Sequence, residues 1–431
     1  MIVNFARRAH NHNWKLDPIV RSLLDTDFYK LLMLQFIWKN FSETNTTFAL
    51  VNRSPQMRLD EGIDFNELRA QLEHTRYLRF HKSELIWLAG NTFYGTRGIF
   101  EPGFLDWLEH GFRLSHYDLS VHDGRISLVF RGLWAETTMW EIYALSTISE
   151  MRTRASLKRL SEFELDILYA RAKTRLWEKI ERLRDVPGLS LSDFGTRRRH
   201  SFLWQEYVVK AMSDVLGESF KGTSNAYLAY KHDLEAIGTN AHELPMALAA
   251  MANNDKELKQ SQYRLLEMWQ QTYQGELLIL LPDTFGTTQF LHGAPEWVAD
   301  WTGQRADSKD PFAAGDEYIA WLEERGRDPR KKLFIASDAL DVGDILKLHA
   351  YFAGRIRFSA GWGTLLTNDF RGCNPRGDRS FDPVNLVCKL NTVNGRPAVK
   401  LSDDAQKTMG PPEEVARYRR VFGAQGVAHA T

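Results

Sequence analysis

The sequence predicts an α/β protein, and three observations carry that prediction. Beyond about residue 186, short apolar or β-prone runs alternate with helix-like segments. Each run ends in a cluster of small and polar residues, as the C-terminal ends of parallel strands do when loops and helices follow them. The stretch from about residue 20 to 135 mixes helical and alternating patterns, which reads as a separate α/β sandwich.

In chain order, LLDTDFYKLLMLQFIWKN reads as a helix, TTFALVNRS as a strand, ELRAQLEHTRYL as a helix and RISLVFRG as a late strand. Residues 136 to 185 are mostly helical. Within them ELDILYARAKTRLWEKIERLRD repeats apolar residues every three or four positions until VPG stops it, and its charges form a solvated face. Seven strand-loop-helix units follow: LSLSDFGTRRR, FKGTSN, EAIGTNAHE, LLILLPDTFGT, WTGQRADS, LFIASDAL and IRFSAGWGT. Seven such units favour a closed barrel, and an open doubly wound sheet also satisfies the rhythm.

Composition narrows the function. Lysine plus arginine (55) equals aspartate plus glutamate (55), so there is no bulk positive field to hold nucleic acid or an anionic membrane. Any anion must meet a local site. The N-terminal MIVNFARRAHNHNWKLDP has no apolar run of signal-peptide length, and LLILL near residue 280 is far too short to span a bilayer. Cys373 and Cys388 have neither metal-ligand spacing nor a disulfide framework. These features set the expectation of a cytoplasmic protein.

The polar clusters would converge on one mouth. SAGWGT offers Gly361 and Gly363, where backbone N–H groups can approach an anion, with Thr364 as a hydroxyl donor; standing alone, the motif is better read as a plain tight turn. Ser337 and Asp338 in IASDAL could complete a phosphate cradle or hold a ribose hydroxyl. GQRADSKDP carries Arg305, Asp307 and Ser308, suited to a phosphate, a ribose diol or hydrated magnesium, or to a surface ion pair. FGTRRR sets Phe194 near Arg197, Arg198 and Arg199, a ring and guanidinium for a flat aromatic anion, or else a solvated basic turn. In GTNAHELPMA, His242 reads by default as a structural histidine. Asp283 at the next strand end supplies a carboxylate that can hold one ring nitrogen and leave the other as base or nucleophile.

The ordered set TDFYK, FGTRRR, KGTSN, GTNAHE, PDTFGT, GQRADSKDP, SD and GWGT, followed by KLNTVNGRPAVKLSDDAQK and EVARYRR, resembles the nicotinate phosphoribosyltransferases from about residue 20 to 420. The resemblance implies a type II phosphoribosyltransferase: an irregular α/β barrel over about residues 136–370, an N-terminal α/β sandwich domain over 1–135, and a C-terminal segment, 371–431, packing with the latter. It implies transfer of phosphoribosyl from phosphoribosyl pyrophosphate to nicotinate, giving nicotinate mononucleotide and pyrophosphate, coupled to ATP hydrolysis. By position, His242 matches the histidine that ATP phosphorylates and Asp283 the aspartate that holds it. Phe194 and Arg197 match the ring-stacking and charge-pairing positions, and Ser224 the contact to the ring substituent. Tyr29 matches a tyrosine supplied by a neighbouring subunit, which implies a homodimer with shared sites. Arg305 and Asp307 match phosphate and ribose contacts, and Asp338, Gly361 and Gly363 match ribose and 5′-phosphate contacts. With no dense carboxylate cage visible, Mg2+ is expected to travel mainly on pyrophosphate or ATP.

Two positions stand apart. Lys309 occupies a place where relatives usually have glycine, adding a long cation beside the phosphate loop, and His200 reads as a helix-start residue rather than a second catalytic histidine. Nicotinamide phosphoribosyltransferase is the nearest alternative. Quinolinate phosphoribosyltransferase would need a more basic pocket, and a non-catalytic nucleotide-binding relative is opposed by the joint presence of His242, Asp283, Arg305 and Asp307.

Overall fold

The computed structural model describes residues 17–53, 62–122 and 125–423. Most of the N-terminal stretch read above lies outside these residues. Two sheets organise the chain. One is antiparallel and five-stranded, and the C-terminal strands Leu386–Val393 and Arg396–Pro397 share it with Asn45–Asn52, Arg125–Leu133 and His116–His122. Phe48 sits in the middle of this sheet, opposite Phe130 on one side and Leu390 on the other.

The second sheet is parallel, with Phe220–Thr223, Leu191–Asp193, Arg357–Trp362, Leu333–Ala336, Gly303–Ala306 and Ile279–Leu280 as successive neighbours. Neighbours follow chain order and the last strand returns beside the first, which is the connectivity of a ring and not of a doubly wound sheet. The EAIGTNAHE unit is the exception: it forms no strand of its own, only a parallel bridge from Ala236 to Thr223. Asn240 reaches the other edge, donating from Nδ2 to the Ile279 carbonyl at 3.1 Å. The ladder is therefore interrupted at one joint. Gly238, at φ +138°, turns there in a conformation that favours glycine.

The helix Glu162–Leu183 is amphipathic as its periodicity predicts: Ser161 and Glu164 close a capping box, and Leu168, Ala172, Leu176 and Ile180 are buried. The TDFYK helix departs from the sequence reading. It begins at Phe28, not at Leu23, and every residue from Phe28 to Ile37 is buried. Lys30 is carried inside with it. Among the described residues no helix is long and apolar enough to cross a membrane.

A buried ion pair ties this N-terminal segment to the parallel sheet. Arg199, fully buried, donates from Nη1 and Nη2 to the two oxygens of Asp25 at 2.6 and 2.7 Å, and Asn225 Nδ2 donates to the same carboxylate at 2.8 Å. Removing one partner of such a pair strands the other charge. Asp25→Ala is expected to lower unfolding stability by about 3–5 kcal/mol, read from denaturant melts, with Asp25→Asn milder.

Candidate active site

Loops at the C-terminal ends of the parallel strands gather the predicted residues into two neighbouring groups. The DFGTRRR loop is shaped by Asp193. Its carboxylate accepts from Gly195 N at 2.7 Å, Thr223 Oγ1 at 2.7 Å and Gln205 Nε2 at 2.9 Å, and burial raises its pKa to about 6. With the loop so held, the three arginines diverge. Arg199 turns inward to Asp25, Arg198 donates from Nε to the Leu386 carbonyl at 3.0 Å and interacts with Asp307 and Asp338, and Arg197 is 38% exposed at the mouth.

Arg197 does not stand as a free cation. Its Nη1 lies 3.4 Å from Glu141 Oε1 and its Nε 3.7 Å from Asp27 Oδ2. Asp27 in turn accepts from Ser224 Oγ at 2.7 Å. Tyr29 is buried beside its own chain's Gly238, and its phenol interacts electrostatically with Glu141 and Arg197 of the same chain.

Phe194 stands against Gly361. A Cβ on Gly361 would lie 2.3 Å from the Phe194 ring. The glycine makes room for the ring. Gly363, partly exposed and preceding the turn at Thr364–Thr367, leaves its backbone open, and Thr364 is likewise partly exposed.

His242 lies directly before the helix Glu243–Met251 and is 7% exposed. Its Nδ1 is 2.9 Å from Thr284 Oγ1 and its Nε2 is 3.1 Å from Asp307 Oδ2. Asp283 Oδ1 is farther from Nε2, at 3.7 Å, so the carboxylate that holds the ring is Asp307 and not Asp283. Sequence order suggested the nearer loop; the side-chain distances decide otherwise. Asp283 receives the Ser308 hydroxyl on Oδ2, while its buried Oδ1 has no hydrogen-bond partner. Asp307 also accepts from Ser337 Oγ at 3.2 Å. Arg305 presents a buried Nε that likewise lacks a partner.

Burial, followed by the charge of Lys400, pulls the His242 pKa down to about 4 against the opposing pull of Asp283 and Asp307. The ring is neutral at neutral pH. Burial works to raise the Asp307 pKa, yet His242, Arg305 and Lys400 hold it well below the usual carboxylate range. An ionised Asp307 only accepts, so Nε2 carries the proton at rest and Thr284 donates to Nδ1.

The C-terminal segment brings cations that the sequence reading did not single out. Lys400 is 3% exposed and interacts with Asp283 and Asp307, and Lys389 interacts with Glu141, Lys400, Arg197 and Arg53. Lys407 donates to the Asp307 carbonyl at 2.7 Å and to Asp338 Oδ2 at 2.7 Å, so Asp338 is engaged by a lysine. Their signal lay in KLNTVNGRPAVKLSDDAQK, yet only the pairing of residues 386–393 with 45–52 shows where those lysines go. Lys309 turns away from the mouth to Glu317 Oε2 at 2.6 Å and Thr288 Oγ1 at 3.1 Å, which removes the concern about a cation in the phosphate loop. His200 is also accounted for: buried, stacked on Phe370 at 3.6 Å and 2.7 Å from the Tyr169 hydroxyl, it is a packing residue.

A family model described as the nicotinate phosphoribosyltransferase family matches residues 189–425, and its N-terminal domain model matches 24–149. The chain belongs to the nicotinate phosphoribosyltransferase family. Solved structures agree. A nicotinate phosphoribosyltransferase from Vibrio cholerae is 32% identical with a TM-score of 0.83 and 94% of each chain covered. Another, from Porphyromonas gingivalis, is 29% identical, also at 0.83, covering 94% of this chain and all of that one. Membership makes the chain a phosphoribosyltransferase, and the mouth described above is where the family's motifs meet.

Two outcomes follow for this phosphoribosyltransferase. Gly361→Ala should displace the Phe194 ring, raising the KM for the aromatic substrate and costing about 1–3 kcal/mol of stability by overpacking. Burial pulls the Lys389 pKa down to about 8, with Lys400, Arg197 and Arg53 adding to that fall and Glu141 opposing it. The lysine is cationic below that pH and neutral above it. Values of kcat/KM for the phosphorylated substrate should thus fall as pH rises through 8, and Lys389→Met should remove that limb of the profile.

Proposed function

We propose that the enzyme transfers phosphoribosyl from phosphoribosyl pyrophosphate to nicotinate, forming nicotinate mononucleotide and pyrophosphate, with ATP spent through transient phosphorylation of His242. The observation that carries this reading is a neutral buried histidine set between a carboxylate and a hydroxyl, in a mouth rimmed by Arg305, Lys389, Lys400 and Lys407. Neutral imidazole is a nucleophile at pH 7, and the cations meet phosphoryl oxygens.

The Thr284 hydroxyl both donates and accepts, so it supports either tautomer of His242. At rest Nε2–H points to Asp307. For attack, the proton resides on Nδ1 and is donated to Thr284, and the Nε2 lone pair forms the bond to the γ-phosphorus of ATP as the bond to the β-phosphate oxygen breaks and ADP leaves. Arg305 and Lys400 face the charge that develops. Phe194 stacks on the pyridine ring and Arg197 meets its carboxylate. Asp338 holds a ribose hydroxyl, and the backbone at Gly363 with Thr364 meets the 5′-phosphate.

The residues also fit Mg2+ carried by the substrates. Asp283, with a buried oxygen lacking a partner, and Asp307 offer hard oxygen donors close together beside His242. The metal would supply charge neutralisation for the departing pyrophosphate. A homodimer in the cytoplasm belongs to this reading as well.

One observation favours nicotinamide as a second base. Ser224 donates its hydrogen to Asp27, leaving lone pairs that suit an amide N–H, while Arg197 is already faced by two carboxylates. Comparison of kcat/KM for nicotinate and nicotinamide decides between them. For the coupling step, ATP should increase nicotinate mononucleotide yield in the wild type and have no effect in His242→Ala. Thr284→Val should slow acid-labile 32P incorporation from γ-labelled ATP by about five- to 150-fold, the consequence of roughly 1–3 kcal/mol for a buried ring nitrogen left without its partner. Undiminished labelling of Thr284→Val would remove the tautomer step from the scheme.

A further inference from the structure

Lys30 belongs to the TDFYK motif, yet no substrate contact falls to it. Its ammonium is fully buried and donates to Glu243 Oε2 at 2.6 Å, to Glu141 Oε2 at 2.8 Å and to Thr138 Oγ1 at 3.4 Å. The two carboxylates lead in opposite directions. Glu243 follows His242 in the chain and opens the next helix, and its other oxygen accepts from Trp134 Nε1 at 2.6 Å. With both oxygens held, the peptide that carries His242 is pinned. Glu141 turns its other oxygen to Arg197, 3.4 Å away. An unbroken line of polar contacts thus runs from the part-exposed Arg197 through the buried Glu141, Lys30 and Glu243 to the backbone of His242.

We propose that Lys30 is a positioning residue that couples filling of the base site at Arg197 to the setting of His242. An anion on Arg197 competes with Glu141 for the guanidinium. Glu141 then relies more on Lys30, whose hold on Glu243 weakens in step, because one ammonium divides its protons between two carboxylates. Solvent screens the links from Lys30 to Glu141 and Glu243 little, because all three side chains are buried. Coupling of this kind is reciprocal, so a ligand at the histidine end alters affinity at the base end by the same factor. The inference rests on the reading of Arg197 as the base contact and His242 as the residue that meets the nucleotide.

The experiment measures calorimetric affinity for a non-hydrolysable ATP analogue with Mg2+, with and without saturating nicotinate. It uses the wild type, the double variant Lys30→Met/Glu243→Gln, and Glu141→Gln. The double variant removes one charge of each sign and leaves Glu141 facing Arg197, which avoids the pair of stranded carboxylates that Lys30→Met alone would create. Glu141→Gln is isosteric and cuts only the charged link to Arg197. Thermal unfolding verifies that each variant is folded.

In the wild type, nicotinate should shift the affinity for the analogue by about fivefold or more, and in both variants the shift should fall to about twofold or less. A wild-type shift retained in either folded variant overturns the proposal. So does a wild type that binds the two ligands independently. A wild type that binds neither nicotinate nor the analogue defeats the functional reading itself, and the coupling goes with it.

Discussion

Charge buried at the mouth of the parallel sheet is the constraint on which the rest of this structure depends. A site for polyanions needs cations out of bulk water, and an unpaired buried charge is costly. The chain answers with paired groups. Arg199 is closed by Asp25, Lys30 by Glu141 and Glu243, Lys407 by Asp338, and Arg197 is approached by Asp27 and Glu141. Among the described residues, Lys389 and Lys400 form no ion pair, and both have pKa values drawn below the usual lysine range by burial. On the reading proposed above, a phosphorylated ligand adds to their compensation, as it does for Arg305, whose buried Nε has no partner.

The same demand explains why the two sheets cannot be treated apart. The helix Phe28–Asn40 carries Lys30 and Tyr29 into the mouth, and the strand Leu386–Val393 carries Lys389 to its rim while completing the antiparallel sheet. Strand pairing fixes the lysine as firmly as it fixes the core, since Phe48 and Leu390 meet one register step away. The antiparallel sheet is thus part of the site.

Much of this was legible in the sequence because it obeyed local rules. Six of the seven strand-loop-helix units form strands where the rhythm placed them, and the chain order of the loops anticipated the ring. What escaped were relations across the fold. Asp283 was nominated for His242 by order in the chain, whereas Asp307, level with it on the neighbouring strand's loop, lies closer to Nε2. Gly361 also packs against Phe194, and nothing local in the sequence reveals the ring pressed against it. In FGTRRR three identical side chains meet three different environments, and the turn held by Asp193 sets which is which.

The neutrality of His242 follows from the same distribution of charge. Burial and Lys400 disfavour the imidazolium, while Asp283 and Asp307 favour it, and the first pair prevails when no ligand is bound. On the reading proposed above, a phosphate that engages Lys400 offsets its positive charge. The balance at the ring then moves toward the carboxylates, and the proton affinity of the imidazole rises as the nucleotide arrives. A ring that must keep its proton on Nδ1 while Nε2 forms a bond gains from that rise, because positive charge accumulates on it in the transition state. The cation that holds the histidine neutral beforehand is thereby the one whose neutralisation by substrate eases the attack.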